Sequence, residues 1–444
     1  MSELLESAGL KFDDYSVFLI LILQLLGSVL ATRFSARLGA FGPFVPGIYA
    51  GVGLLSSAIV FGWAQTLRVV LVVLVQYLAS KLCRTPQKTM AASGFAFGFV
   101  TCYHLYRLFQ NRPSGENCIV NVMMVQMPRT IYFYWHCLGL HSKGERLPSI
   151  GSYFSYMFNF IGLLTGPVFT YEEHLRLLAS ANTHSPDRHR KILLRSLVVL
   201  ASVAGFLVGL RWDILNWSVA ESMASRSPLY RIVCDAVVCF VLRLRFYIAW
   251  CTVEMICCVL CLKDSQSDYR EYIETLDIVK VETEWSLKSR VEHWNFSISK
   301  WLRLCFYEPL ISEFKFSKSS ASFVSFMLSA FWHGVAPNYY LGFLLLFLIS
   351  AYEKTLYRKR WFNWPLKALS YALTTSAAFV FYFRDNGDWK RYIQINKDVL
   401  LLIPATLALA LLLPKRQLGR PTAADREAKG AASGEVGREK AKTQ

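Results

Sequence analysis

Four stretches of this chain, 17–30, 69–78, 197–210 and 399–413, carry no charge at all and are built almost wholly from Leu, Val, Ile, Ala and Phe. A helix of about 20 such residues spans the ~30 Å hydrocarbon core of a bilayer, and water is a poor solvent for it. Further apolar runs fall at 46–65, 92–110, 116–138, 149–170, 229–262, 321–350 and 364–384. The 229–262 run is long enough for two crossings, and 321–350 divides near Pro337. In lipid every backbone polar group needs an internal partner, so helices are the economical solution. The pattern predicts an all-α, polytopic integral membrane protein of about eleven transmembrane helices, with re-entrant and interfacial helices among them. Residues 1–414 read as a single multi-pass membrane domain, and 415–444 as a disordered, basic cytosolic tail lacking core-forming residues.

The net charge of +17 invites a nucleic-acid reading, but the basic residues gather in short connections beside apolar runs. Lys81, Arg84 and Lys88 form one such group, and Arg358 to Arg360 another. That placement is the pattern of cytoplasmic anchors, and no interleaving of aromatic and basic residues suggests nucleic acid. Glu3, Glu6, Asp13 and Asp14 precede the first run while Arg33 and Arg37 follow it, which predicts a retained span with a lumenal N-terminus. Lys440 and Lys442 resemble a dilysine signal that retrieves membrane proteins to the endoplasmic reticulum, which works only from the cytosol. The 11 cysteines are scattered through apolar runs, so Cys258 and Cys261 read as membrane-core packing rather than metal ligands.

The stretch 263–300 is polar. Towards its end Trp294, Ile298, Trp301, Leu302 and Cys305 fall on one face of a helix. The spacing predicts an amphipathic helix at the membrane surface.

Within this frame a few polar residues stand out. His333 lies in "SAFWHGVAPNYY", between two apolar runs, beside Trp332 and followed by Gly334, Pro337, Tyr339 and Tyr340. A membrane histidine is either a satisfied structural group or part of the chemistry. Gly334 allows close approach of a ligand, and Pro337 breaks the helix where non-helical backbone must line a cavity or be covered by protein. An imidazole, with an ordinary pKa near ~6.5, suits a general base acting on a hydroxyl. Asn295 begins a formal glycosylation acceptor, as does Asn216, but Trp294 and Trp301 place it near the membrane. An amide can also stabilise a tetrahedral oxyanion, a role worth roughly 3 kcal/mol. Thr165, Gly166 and Pro167 mark a break or re-entrant turn. Asp235, Arg243, Arg245 and Glu254 lie inside an apolar run, where charges pair or line a polar cavity. There is no nucleophile elbow, Walker loop, dinucleotide fingerprint or zinc pattern. No histidine has an aspartate five positions on.

"EHWNFSISKWLRLCFYEP" and "SAFWHGVAPNYYLGF" resemble the membrane-bound O-acyltransferase family, whose hallmark is an Asn on an interfacial stretch and a His in a membrane run. "SYMFNFIGLLTGPVFTYEEHLRLL" and "LRLRFYIAWCTVEM" are similar to segments of its lysophospholipid branch, and the motifs sit closest to lysophosphatidylinositol acyltransferases. The likeness runs from about Ser152 to Phe347, and His293 stands where the family pattern suggests tyrosine. The resemblance implies an acyl-CoA co-substrate from the cytosol, a lysophospholipid acceptor from the membrane lipid, and no bound cofactor or metal. It makes His333 and Asn295 catalytic: His333 takes the proton of the acceptor's sn-2 hydroxyl, and Asn295 positions or polarises the reacting groups. Trp332, Tyr339, Tyr340, Trp294, Thr165, Gly166, Pro167, Arg245 and Tyr247 become candidate substrate-binding residues. Within the family, a lysophospholipid with a choline, serine or ethanolamine headgroup is the alternative acceptor; from another class, a transporter is the remoter rival, disfavoured by the lack of an internal two-fold repeat.

Overall fold

The computed structural model describes residues 12–33, 44–109, 119–179, 188–212, 214–260, 273–361, 363–383 and 386–415, and helix is the only regular structure among them. The N-terminal acidic residues Glu3 and Glu6, Arg37, Cys261, the loop residues 263–272 and the segment with Lys440 and Lys442 lie outside these ranges, as does the side chain of Asn216.

Apart from five-residue helices at Ile214–Ser218 and Glu308–Ser312, the α-helices in chain order are α1 (Phe12–Arg33), α2 (Val45–Phe61), α3 (Trp63–Ser80), α4 (Pro86–Phe109), α5 (Ile119–Lys143), α6 (Ile150–Phe158), α7 (Tyr171–Ala179) and α8 (Arg188–Arg211). Then follow α9 (Pro228–Val259), the short α10 (Ile278–Thr283), α11 (Leu287–His293) and α12 (Phe296–Leu302), and the long α13 (Lys318–His333), α14 (Pro337–Lys359), α15 (Trp364–Tyr382) and α16 (Asn386–Leu412). By length and composition three of them, Trp63–Ser80, His189–Arg211 and Asp388–Leu412, are apolar enough to cross a membrane. Their outer faces leave Leu71, Leu200 and Leu409 more than 60% exposed, the arrangement expected where lipid is the solvent.

The 229–262 run forms one helix, not two: α9 is continuous for 32 residues. Nothing in it breaks a helix, because its single proline, Pro228, sits in the first turn behind the Ser227 cap. Two of the charges inside the run are paired with neighbouring segments, as expected of charges in an apolar run. Asp235 accepts from Ser376 at 2.7 Å and Tyr392 at 2.6 Å, and Glu254 pairs with Arg195 at 2.6 Å.

The 149–170 run is not one continuous helix. Helix α6 stops at Phe158, well before the Gly-Pro pair, and 159–170 is irregular. Buried Arg129 makes this possible, donating to the carbonyls of Tyr156 at 3.3 Å, Asn159 at 3.2 Å and Ile161 at 2.7 Å. Those carbonyls have no helical partner, and an unsatisfied one costs several kcal/mol at membrane depth. Gly162, at φ +71, is required because a Cβ there would lie 2.4 Å from the Pro167 carbonyl oxygen.

The amphipathic stretch at 294–305 also differs from expectation. Trp294 precedes the helix, and α12 begins only after Asn295. Its apolar face turns inward rather than to the membrane surface: Trp301 is fully buried, packed on Phe97 and Phe306. Close-packed protein was available for that face, so the periodicity was that of a core helix.

Candidate active site

Helix α13 ends at His333 because Gly334 adopts φ +144 and Pro337 opens α14. The histidine therefore occupies the last turn before a non-helical corner. A Cβ on Gly334 would lie 3.1 Å from the Tyr339 ring and 3.2 Å from His104 Nδ1, and at φ +144 any side chain is strained, so the corner favours glycine. Trp332 anchors the turn by donating its indole N–H to the Met124 carbonyl at 2.8 Å. The His333 ring is gripped by aromatic faces: Phe343 stacks at 5.6 Å and Phe381 meets it edge-on at 4.6 Å. Neither imidazole nitrogen has a hydrogen-bond partner among the described residues. They are left to the cavity that His333 lines.

Asn295 sits at the junction of α11 and α12 in the left-handed conformation, φ 46 and ψ 64, a region where asparagine is enriched. Its Oδ1 accepts from Ser297 Oγ at 3.1 Å and from the Ile298 N–H at 3.4 Å, capping α12. The amide nitrogen is left without a partner among the described residues. The junction is held from behind. Glu254 accepts from the Thr275 N–H at 2.9 Å, and the Thr275 carbonyl accepts from Phe296 N–H at 2.8 Å. The Asp277 N–H donates to the His293 carbonyl at 3.1 Å. Asn295 is thus clamped on both sides.

His333 and Asn295, 38 residues apart in sequence, line one cavity of about 1020 Å³. Met124, Ala249, Ile298, Leu302, Phe326 and Leu346 give it long apolar walls. Of the other residues singled out from sequence, Trp332, Tyr339, Trp294, Thr165 and Arg245 also line it. Trp294 packs on Trp250 at 5.0 Å, whose indole N–H donates to the Thr165 carbonyl at 2.8 Å, so these three residues form one wall. Tyr340, Gly166 and Pro167 are not part of the wall, and Tyr247 is buried behind it with its hydroxyl on Glu282. Gly166 and Pro167 shape the irregular segment that presents Thr165.

Among the polar wall residues not singled out from sequence are His104 and Arg290. His104 of α4 faces Gly334, and its Nε2 is enclosed without a partner among the described residues. Arg290 of α11 lines the same cavity. A signal existed for His104, a lone histidine in the apolar run 92–110. The corner it meets comes from more than 200 residues away, and only the fold joins them.

The chain belongs to the membrane-bound O-acyltransferase family, whose sequence profile matches residues 70–384. It is 26% identical over 314 residues to a lysophospholipid acyltransferase of Saccharomyces cerevisiae, covering 60% of this chain and 50% of that protein. A membrane-bound acylglycerophosphatidylinositol O-acyltransferase of Xenopus laevis is 25% identical over 316 residues, 61% of this chain and 66% of that protein. Human membrane-bound glycerophospholipid O-acyltransferase 2 is 26% identical over 228 residues, 45% of this chain and 42% of that protein. The chain spans about half the length of the curated relatives it matches.

Proposed function

We propose that this protein transfers a fatty acyl group from acyl-CoA to the sn-2 hydroxyl of a lysophospholipid, with lysophosphatidylinositol as the preferred acceptor. It does so from within the membrane as a single domain of about eleven crossings. The observation that carries the reading is the meeting of an unpaired imidazole and an unpaired amide N–H₂ on one apolar-walled cavity. Family membership turns the balance against a transporter. The Xenopus relative's name favours the inositol acceptor, while the yeast relative's name specifies only a lysophospholipid.

In this mechanism His333 accepts the proton of the acceptor hydroxyl as its oxygen attacks the thioester carbonyl carbon. The carbonyl oxygen becomes an oxyanion, to which Asn295 Nδ2–H donates; the Asn295 Oδ1, committed to capping α12, fixes that orientation. Collapse breaks the carbon–sulfur bond, and the CoA thiolate takes the proton back from His333. The apolar walls hold the acyl chain and exclude water, which would otherwise compete as acceptor.

The test is purified protein in detergent with arachidonoyl-CoA and a panel of lysophospholipids, following free thiol and product mass beside His333→Ala. Product from lysophosphatidylinositol, lost in the variant, is expected. Product from another lysolipid alone would overturn the acceptor assignment, and no product from any lysolipid would overturn the activity.

A further inference from the structure

Arg290 is only 9% exposed, yet it has no carboxylate partner among the described residues. Its Nη1 is enclosed without an acceptor, and its guanidinium lies 4.5 Å over the Tyr371 ring. The carboxylate within its electrostatic reach, Glu282, is already taken: Arg243 engages both oxygens, at 2.8 and 2.6 Å, and the Tyr247 hydroxyl shares one of them. Two arginines of the cavity wall, Arg243 and Arg290, therefore lie near a single carboxylate, and it pairs with Arg243. A buried cation left unpaired is strongly unfavourable, and arginine is the side chain whose planar fork best fits a phosphate. The α11 helix that carries it is braced for a fixed position, with buried Glu353 accepting from Leu287 N–H at 2.8 Å and Ser286 Oγ at 2.9 Å.

Distance selects the phosphate. Arg290 stands over Tyr371, and His333 stands against Phe381, ten residues further along α15. Ten residues of helix rise about 15 Å. Thr374, Ala378 and Phe381 face the cavity along that rise, so the space is continuous between the two ends. The phosphate of a lysophospholipid lies about 5 Å from its sn-2 oxygen by ordinary bond lengths. The diphosphate of a CoA thioester lies about 16 Å from its sulfur along an extended pantetheine arm. The second length matches the rise along α15 between the ring beside Arg290 and the ring beside His333.

We infer that Arg290, braced on Tyr371, is an anchor for the diphosphate of the CoA thioester donor, set one pantetheine length from the base. The assignment of donor and base rests on the acyltransferase reading; the anion site itself rests on the unpaired guanidinium.

Two measurements on the full chain in detergent separate these. In calorimetric titration with CoA, Arg290→Met raises the Kd at least tenfold, while binding of pantetheine is unchanged. In steady-state assays the same variant raises KM for oleoyl-CoA, leaving KM for oleoyl-pantetheine and for the lysophospholipid as in wild type. An equal loss with both donors marks a structural role and overturns the anchor. A rise confined to the lysophospholipid KM moves the phosphate to the acceptor and overturns it too. Acyl transfer by wild type with unaltered CoA affinity in Arg290→Met sinks the anchor and spares the function. CoA binding that depends on Arg290, without transfer to any acceptor, does the reverse. If Arg290→Met does not fold, Arg290→Lys replaces it: a severalfold rise in donor KM is expected from loss of the planar fork, and no change overturns the proposal.

Discussion

Replacing Asn295 by aspartate separates the two jobs this residue does. Aspartate caps a helix as well as asparagine and tolerates the left-handed conformation, so both the Ile298 N–H and the backbone at φ 46 remain satisfied. What disappears is the pair of amide hydrogens facing the cavity. If they donate to the oxyanion, kcat falls roughly 10²–10³-fold, about 3–4 kcal/mol, with little change in melting temperature. Alanine adds structural losses: about 1 kcal/mol for the missing cap, and about 1 kcal/mol more for a Cβ residue held in the left-handed region. Glycine relieves the second cost and should restore stability without restoring activity. The assay is release of CoA thiol under saturating donor and acceptor, paired with thermal melting of each variant. Turnover by Asn295→Asp within about threefold of wild type, less than 1 kcal/mol in the barrier, would refute the donor role.

His333→Ala should lower turnover on the order of 10²–10⁴-fold with unaltered melting, since the ring makes aromatic contacts but no protein hydrogen bond among the described residues; near-normal rates in a folded variant would remove it as the base. Gly334→Ala should both destabilise and inactivate, because the added methyl presses on Tyr339 and His104 at a φ of +144; a melting curve matching wild type would contradict the corner's geometry. Trp301→Ala should cost about 3–5 kcal/mol as a fully buried large side chain; a loss confined to membrane association, with stability intact, would restore the surface-helix reading.

The all-helical architecture was legible in the apolar runs because hydrocarbon leaves the backbone few alternatives. Periodicity said less about what each face meets. Trp301 and Ile298 have the spacing of a lipid-facing stripe and of a core stripe alike, and only packing against Phe97 of α4 decides between them. Length was also ambiguous: 229–262 could hold two crossings, and whether it does depends on a breaker that α9 lacks. The helix end at His333 was readable because Gly334 and Pro337 announce it in an apolar run. Arg290 was not, since in sequence it is one of several charges on a polar stretch, and the Tyr371 ring it lies over is far along the chain.

The two central residues share a feature that follows from the medium. Both sit where a helix stops: His333 ends α13, and Asn295 separates α11 from α12. Within a continuous membrane helix a side chain projects from a backbone whose own polar groups are spent, and neighbouring turns crowd it. At a helix end the chain opens and a cavity can reach the side chain, provided each freed backbone group finds another partner. Here those partners are specific. Thr275 serves Phe296 and is itself held by Glu254, while Glu353 caps α11. Buried carboxylates that touch no substrate thus account for the position of the amide and of the arginine. Removing Glu254 would break its 2.6 Å pair with Arg195 and free the Thr275 N–H, displacing Asn295 through a chain of hydrogen bonds rather than through any contact with the cavity.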